Sequence, residues 1–233
     1  MTSDPSAPRP LGGIRNFGWV IPGVLARGEQ PPLDAETVGA LLAEGIGSIL
    51  SLREHNEEAL PVDGRPLPPY GVAEERGWCE RFGLHFQHVG CVEAEVTPAE
   101  DLVAALEAID REIGLGRAVF VHCRAGVGRT GVVTGAWLIA SGSTGDDAAR
   151  LHERFLGELD GRLAIPAGER AHYFQPMGRA RSWWGLRTIS EALGSPITGV
   201  YNLPGPEPPV GADSLEERYR EALRPWREGR NSA

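Results

Sequence analysis

The chain has 233 residues, of which 41% are hydrophobic and 24% charged, a composition typical of a soluble globular protein. Its formal net charge of −9 argues against a general nucleic-acid or anionic-membrane binder, because such partners require a positive surface. All 23 basic residues are arginine, and the lack of lysine excludes a Walker-type phosphate loop and a Schiff-base lysine.

The predicted elements alternate between strands and helices. The predicted strands are two within 17–27, then 48–52, 84–89 and 118–121. The predicted helices are 34–44, 70–82, 97–113, 132–140, 144–159, 182–193 and 214–226, with a proline-bearing loop at 55–70. This alternation predicts an α/β layered fold, with a central, mostly parallel sheet flanked by helices.

Three of the helix starts carry capping signals. Asp34 is placed as an N-cap before the first helix. Thr97 is followed by a proline and then by Glu100, and Ser214 is followed by Glu217 three residues later. Both spacings predict a capping box, with the Ser or Thr as the cap.

Residues 122–131, His-Cys-Arg-Ala-Gly-Val-Gly-Arg-Thr-Gly, are suited both to bind a phosphate and to attack it. Because they join a strand to a helix, unpaired backbone N–H groups and the helix dipole converge on one point. The same positive field favours the thiolate form of Cys123. Arg129 offers a planar fork for phosphate oxygens, and Gly126 and Gly128 allow the backbone to approach closely.

The loop therefore supplies most of the predicted site. We expect Cys123 to be the nucleophile, Arg129 to bind the phosphoryl group and His122 to hydrogen-bond within the loop. Thr130 is expected to donate its hydroxyl to the sulfur as it leaves in a second step. The predicted substrate-binding residues are Arg124, Ala125, Gly126, Val127, Gly128, Arg129 and Thr130. The alternative, a merely structural buried cysteine, is disfavoured by the glycines, His and Thr around it.

The string His-Cys-x5-Arg-Thr resembles the signature of the cysteine-dependent protein tyrosine and dual-specificity phosphatases. Residues 17–28, followed by 45–52, are similar to the N-terminal half of the small atypical dual-specificity phosphatases, and the resemblance covers about residues 15–175. It implies hydrolysis of a phosphorylated protein or a small phosphomonoester through a phosphocysteine intermediate, with no metal or other cofactor.

The resemblance also implies a general acid, normally an aspartate on the loop before the helix at 97, but residues 88–98 contain no aspartate. Glu93 occupies the equivalent position, and we expect it to protonate the leaving group and later to activate water. Glu95 is the competing candidate, while Asp101 would lie within the following helix. The alternative for both glutamates is that they are solvated loop charges.

The extent of the resemblance divides the chain into three parts. We expect a loose tail (1–13), a phosphatase domain (14–175) and a C-terminal extension (176–233) of helices and a proline-rich link. The extension is expected to pack on the core because Trp183 and Trp184 are too apolar to be left exposed, and it is a candidate surface for self or partner contacts.

The three cysteines show no disulfide or zinc-ligand spacing. Cys91 is expected to be an ordinary buried thiol, although the resemblance also allows a reversible disulfide with Cys123. No apolar run reaches the roughly 20 residues of a membrane span, and residues 1–20 lack the apolar core of a signal peptide. We therefore expect a cytoplasmic protein that binds neither membrane nor nucleic acid.

Two other functions stay open at this stage. One is a phosphatase acting on inositol phosphates or phosphoinositides, against which the acidic composition weighs. The other is a module that binds phosphorylated residues and has lost its acid.

Overall fold

The computed structural model describes residues 4–5, 7–55, 57, 70–162, 176–203, 205 and 208–230. Most of the predicted loop at 55–70 lies outside the described residues. The strands are β1 (Arg9–Leu11), β2 (Ile14–Ile21), β3 (Leu25–Gly28), β4 (Ile46–Ser51), β5 (His85–His88) and β6 (Ala118–His122). The described helices are α1 (Ala35–Ala43), α2 (Val72–Arg81), α3 (Ala99–Gly114), α4 (Gly128–Ala140), α5 (Gly145–Arg162), α6 (Pro176–Ala192), α7 (Ala212–Ala222) and α8 (Arg224–Arg230).

The six strands form one sheet in the order β1-β2-β3-β6-β4-β5. Strands β3, β6, β4 and β5 are parallel to their neighbours, while β1 and β2 add an antiparallel edge. The predicted mostly parallel sheet is thus confirmed. Strand β1 lies within residues 1–13, so part of the segment predicted as a loose tail belongs to the sheet.

Strand β6 lies in the middle of this sheet, and all five of its residues are buried. Val119 and Val121 belong to the apolar cluster formed with α3 to α7, whereas Ala118 and Phe120 belong to the cluster formed with α1 and α2. Alternate residues of a strand point to opposite faces, so helices cover the sheet on both sides. The carboxyl end of β6 is therefore the sheet position best enclosed by other elements.

Two of the three capping predictions are wrong. Asp34 does cap α1, because its Oδ1 accepts a hydrogen bond from the Thr37 N–H at 2.8 Å. Helix α3 instead begins after Pro98 and has no side-chain cap, and the backbone carbonyl of Thr97 accepts the Tyr219 hydroxyl. Helix α7 begins after Gly211, whose φ of 78° is left-handed, so Ser214 lies inside the helix.

The C-terminal helices bury their large side chains against the sheet domain. Trp183 and Trp184 on α6 are only 6% and 7% exposed and belong to the same apolar cluster as α4. Tyr219 and Leu223 join that cluster from the α7 region. Among the described helices, none is long and apolar enough to cross a membrane.

Candidate active site

The predicted phosphate loop begins at the carboxyl end of β6. His122 pairs with Gly28 of β3 on one side and with Ser51 of β4 on the other. Cys123 follows directly and is 3% exposed, and the loop then enters α4 at Gly128. This placement matches the predicted order of strand, loop and helix.

The loop carbonyls are held by groups outside the loop. The Gln30 N–H donates to the Arg124 carbonyl at 3.0 Å, and Asn16 Nδ2 donates to the Ala125 carbonyl at 2.9 Å. Arg27 Nη2 donates to the Gly126 carbonyl at 2.7 Å. Because these carbonyls are tied outward, the N–H groups are left for the interior of the loop. Within the described chain, no backbone N–H of residues 124–129 donates to a protein acceptor, which is the arrangement of an anion-binding cradle.

Gly126 is needed for this shape. Its φ is +71°, and a Cβ at this position would lie 2.2 Å from the backbone carbon of Gly28. Both the left-handed backbone and the close approach exclude a side chain. The close backbone approach predicted for this glycine is therefore an approach to strand β3.

Arg129 is held by a carboxylate that the sequence pattern did not reveal. Its Nη1 and Nη2 lie 2.6 and 2.8 Å from the two carboxylate oxygens of Glu57, and Nη1 also donates to the Cys91 carbonyl at 3.0 Å. Burial opposes ionisation of Glu57, but the hydrogen bonds and charge of Arg129 outweigh it, so the pKa of Glu57 lies below its usual value. Such a two-point ion pair fixes the plane of the guanidinium.

His122 is buried, and its two ring nitrogens face different groups. Nδ1 lies 3.0 Å from the Cys123 carbonyl, which is the predicted contact within the loop, and Nε2 lies 2.7 Å from Glu75 Oε1 on α2. The Thr130 hydroxyl is also buried, but it has no hydrogen-bond partner among the described residues. Among the described residues the hydroxyl therefore makes no hydrogen bond to the Cys123 sulfur, and its expected donation to the departing sulfur stays a prediction.

The two candidate acids occupy different surroundings. Glu93 Oε2 lies 3.0 Å from Nη1 of Arg124, a residue of the phosphate loop. Glu95 pairs instead with Arg181 of α6 at 2.7 Å and is 54% exposed. Asp101 lies in the first turn of α3, where partial burial and the charge of Glu100 raise its pKa. Of these carboxylates, Glu93 is the one that contacts the loop.

Cys91 is buried near the nucleophile candidate and is a free thiol. Burial raises its pKa to about 12, and the charge of Asp101 adds to this effect, whereas Arg129 opposes it. The side chain of Thr97 hydrogen-bonds to this thiol, so the Thr97 hydroxyl is not free to cap α3. A thiol in this environment is a poor nucleophile, in agreement with the expected ordinary buried thiol.

The segment that carries Glu93 and Glu95 is held by the C-terminal helices. Ala94 has a φ of 61°, the left-handed value in which a non-glycine residue is strained. Arg181 Nη1 lies 3.4 Å from the Ala94 carbonyl as well as beside Glu95, and the Tyr219 hydroxyl donates to the Thr97 carbonyl. The C-terminal extension therefore borders the site.

Sequence reasoning missed three side chains that shape the loop. Arg27 carried a signal, because an arginine inside an apolar strand needs a buried partner. Glu75 carried a weaker one, as an acidic residue at a buried helix position. Glu57 lies 72 residues from Arg129 in a loop without periodicity, and no sequence pattern identified it.

Together, the fold and the site define a class: an α/β protein with a phosphate-binding loop between a central strand and a helix. A family model described as "PTP-SAK: Swiss Army Knife protein, DSP-PTPase phosphatase domain" matches residues 14–165. The chain therefore belongs to this family of phosphatases, which confirms the resemblance drawn from the loop.

Tk-PTP, SIW14 and TpbA are among the solved structures to which this chain is similar. Tk-PTP in its active form is 24% identical, covering 67% of this chain and 92% of its own, with a TM-score of 0.41. The core catalytic domain of the PP-IP phosphatase SIW14 from S. cerevisiae is 21% identical, covering 60% and 74%, with a TM-score of 0.46. TpbA from P. aeruginosa is 16% identical, covering 81% and 98%, with a TM-score of 0.48.

Proposed function

We propose that this phosphatase is a cysteine-dependent protein tyrosine or dual-specificity phosphatase that hydrolyses phosphate monoesters through a phosphocysteine intermediate. The observation that carries the proposal is the loop that begins at the buried Cys123 and ends at Arg129, where the backbone N–H groups of residues 124–129 have no acceptor among the described residues. A tetrahedral anion placed there meets donors, a planar cation and a sulfur nucleophile at once.

In the first step, the Cys123 thiolate attacks the phosphorus of the bound monoester. The sulfur–phosphorus bond forms as the bond to the ester oxygen breaks, and the electron pair leaves with that oxygen. Glu93 supplies the proton that makes this oxygen a neutral alcohol or phenol. Arg129 and the loop N–H groups stabilise the negative charge on the transferring phosphoryl oxygens.

In the second step, water attacks the phosphocysteine. Glu93, now a carboxylate, takes a proton from the water as the oxygen–phosphorus bond forms. The sulfur–phosphorus bond breaks, and the electron pair returns to Cys123 as a thiolate. The buried Thr130 hydroxyl, which has no partner among the described residues, is the proposed donor to this leaving sulfur. The products are inorganic phosphate and the alcohol.

Arg124 connects substrate binding to the acid. In the structure it contacts Glu93 at 3.0 Å, and both side chains lie at the accessible rim of the loop. A substrate phosphate brings new oxygens to this rim, so Arg124 can exchange the carboxylate for phosphate. The exchange frees Glu93 to face the leaving oxygen. The three cysteines are free thiols, as is usual where disulfides are kept reduced, and we also propose a cytoplasmic location.

The test is hydrolysis of an aryl phosphate across pH in the presence of a chelator. Cys123→Ser is expected to abolish turnover. Glu93→Gln is expected to lower kcat by about 10²–10⁴-fold, the range of a lost general acid, and to remove the limb of the pH profile that reports the protonated acid. Glu95→Gln is the matched control, and its profile is expected to follow the wild type. Equal loss in both glutamate variants would contradict the assignment of Glu93.

A second candidate substrate class is the inositol phosphates and phosphoinositides. The supporting observation is that the loop carries Arg124 in addition to Arg129, so a second phosphate has a nearby cation. This candidate predicts that Arg124→Ala lowers kcat/KM far more for a multiply phosphorylated inositol than for a phosphotyrosine peptide. A module that only binds phosphorylated residues would bind phosphate analogues without turnover of any substrate.

A further inference from the structure

Arg27 is the one arginine that reaches the phosphate loop from inside the described part of the sheet. Strand β3 is parallel to β6, with Arg27 opposite Val121, so its side chain lies beside the strand that ends at Cys123. Its guanidinium is fully buried and donates to the carbonyls of Gly126 and Val127, at 2.7 and 3.2 Å. These contacts place the cation on the outer, carbonyl side of the loop.

Two further described neighbours of Arg27 are uncharged side chains. Its Nη1 donates to the Thr134 hydroxyl at 3.3 Å, and its guanidinium carbon lies 4.1 Å from the ring centre of Phe155. Among the described residues, it forms no ion pair with a carboxylate. His152 packs nearby from α5, but burial and the charges of Arg27 and Arg179 lower the pKa of His152 to about 3, so the imidazole is neutral.

A buried cation without a carboxylate is costly unless some anion compensates it. Burial lowers the pKa of Arg27 to about 9, and the charge that opposes this effect comes from Cys123. Arg27 is hydrogen-bonded to the loop that begins at Cys123, and opposite charges in a buried site stabilise each other, so a cation held against this loop favours a thiolate at its start. Among the described residues, the other ionisable side chains that interact with Cys123 are Arg129 of α4 and Cys91, and the His122 ring lies 3.0 Å from the Cys123 carbonyl.

We propose that Arg27 is a positioning residue of the phosphate loop, which holds two loop carbonyls and stabilises the Cys123 thiolate from the side opposite the substrate. With Arg27 as a second cation beside the thiolate, the thiolate does not depend on Arg129 alone. Arg129 can then bind the phosphoryl group of the substrate. The inference rests on the proposed role of Cys123 as nucleophile, but it concerns the ionisation of the sulfur and not turnover.

The test is the rate of alkylation of Cys123 by iodoacetamide as a function of pH, with Cys123→Ser as the blank for the other thiols. Arg27→Gln keeps a donor for the loop carbonyls and removes the charge, whereas Arg27→Lys keeps the charge and loses the fork. We expect the midpoint of the alkylation curve to move to higher pH by about one unit in Arg27→Gln, a roughly tenfold slower reaction below the midpoint. Arg27→Lys is expected to stay within a few tenths of a unit of the wild type.

Thr134→Val is the matched control, because it removes a partner of Arg27 and leaves the charge in place, and it is expected to show the wild-type midpoint. An unchanged midpoint in Arg27→Gln, or equal shifts in the Gln and Lys variants, would overturn the proposal. Iodoacetamide alkylation needs no phosphate substrate, so an inactive phosphatase would leave this result intact.

A measurement on the wild-type chain guards against misfolding of the variants. The Arg27 guanidinium carbon is followed by NMR across alkaline pH, before and after Cys123 is alkylated. Because alkylation removes the thiolate charge, we expect the Arg27 titration to move to lower pH in the alkylated protein. An identical titration in both forms would show that the two groups do not interact and would refute the proposal.

Discussion

Mild acid should destabilise this fold through His152. The imidazole is fully buried, and burial together with the charges of Arg27 and Arg179 lowers its pKa to about 3. In the unfolded chain a histidine titrates near ~6.5. Below that pH the unfolded state binds a proton that the folded state does not, so stability is complete above ~6.5 and is lost as the pH falls towards 3.

The magnitude follows from this window. Each pH unit well inside it costs about 1.4 kcal/mol, so the step from pH 7 to pH 5 should lower the free energy of unfolding by about 2 kcal/mol through His152 alone. Glu57 does not interfere, because an unfolded glutamate titrates near ~4.3 and the folded pKa of Glu57 is lower still.

The assay is urea unfolding at pH 7 and pH 5 for the wild type and for His152→Gln, which places a side chain that does not titrate at the same site. The wild type should lose about 2 kcal/mol more than the variant between the two pH values. The variant differs in absolute stability, but only the change with pH is compared. An equal loss in both proteins would refute the argument that a buried neutral imidazole limits the acid stability.

Three further substitutions test other parts of the structure. Glu57→Gln should leave the fold intact but raise KM for an aryl phosphate and lower kcat by roughly tenfold or more, because Arg129 loses its two-point ion pair. Steady-state kinetics would measure both effects, and unchanged kinetics would contradict the orienting role of Glu57. Gly126→Ala should lower the free energy of unfolding by roughly 2–4 kcal/mol. Gly23→Ala is the control and should cost about 1–2 kcal/mol, because Gly23 also has a positive φ but open space around it. Similar losses for the two variants in urea titrations would show that the contact with β3 does not matter. Tyr219→Phe should cost about 1 kcal/mol, because the buried carbonyl of Thr97 loses its donor, and a stability equal to the wild type would show that this contact is not formed in solution.

The sequence predicted those features of the fold and site that depend on local patterns. Strands alternating with helices predicted the layered fold, and the string from His122 to Gly131 predicted where the phosphate loop lies. The spacing also pointed to Glu93 as the acid; the structure places its carboxylate against Arg124, and its role as the acid stays a prediction. In each case neighbouring residues carry the information.

The parts that the sequence did not predict depend on contacts between distant segments. Glu57 reaches Arg129 across 72 residues, and Arg27 reaches Gly126 across 99. The failed cap at Thr97 has the same origin, because its side-chain hydroxyl hydrogen-bonds to Cys91 and does not cap α3. Strand β1 is short and lies in a Pro- and Gly-rich segment, so only its pairing with β2 reveals it.

The sequence predicted the packing of the C-terminal extension but not its contacts with the segment that carries Glu93. The apolar Trp183 and Trp184 predicted that the segment packs on the core, and both are buried there. The sequence did not indicate that Arg181 and Tyr219 would contact the segment that carries the candidate acid. These contacts bring the extension next to the proposed chemistry.

The central claim is that the Cys123 sulfur becomes covalently phosphorylated. The most direct measurement is rapid-quench mass spectrometry of Glu93→Gln, mixed with an aryl phosphate at neutral pH and digested in acid. We predict that the peptide carrying Cys123 gains one phosphoryl group within the first turnover, because the variant lacks the base that activates water. The same peptide from Cys123→Ser is the blank. Release of the aryl leaving group without any phosphorylated Cys123 peptide would contradict the account.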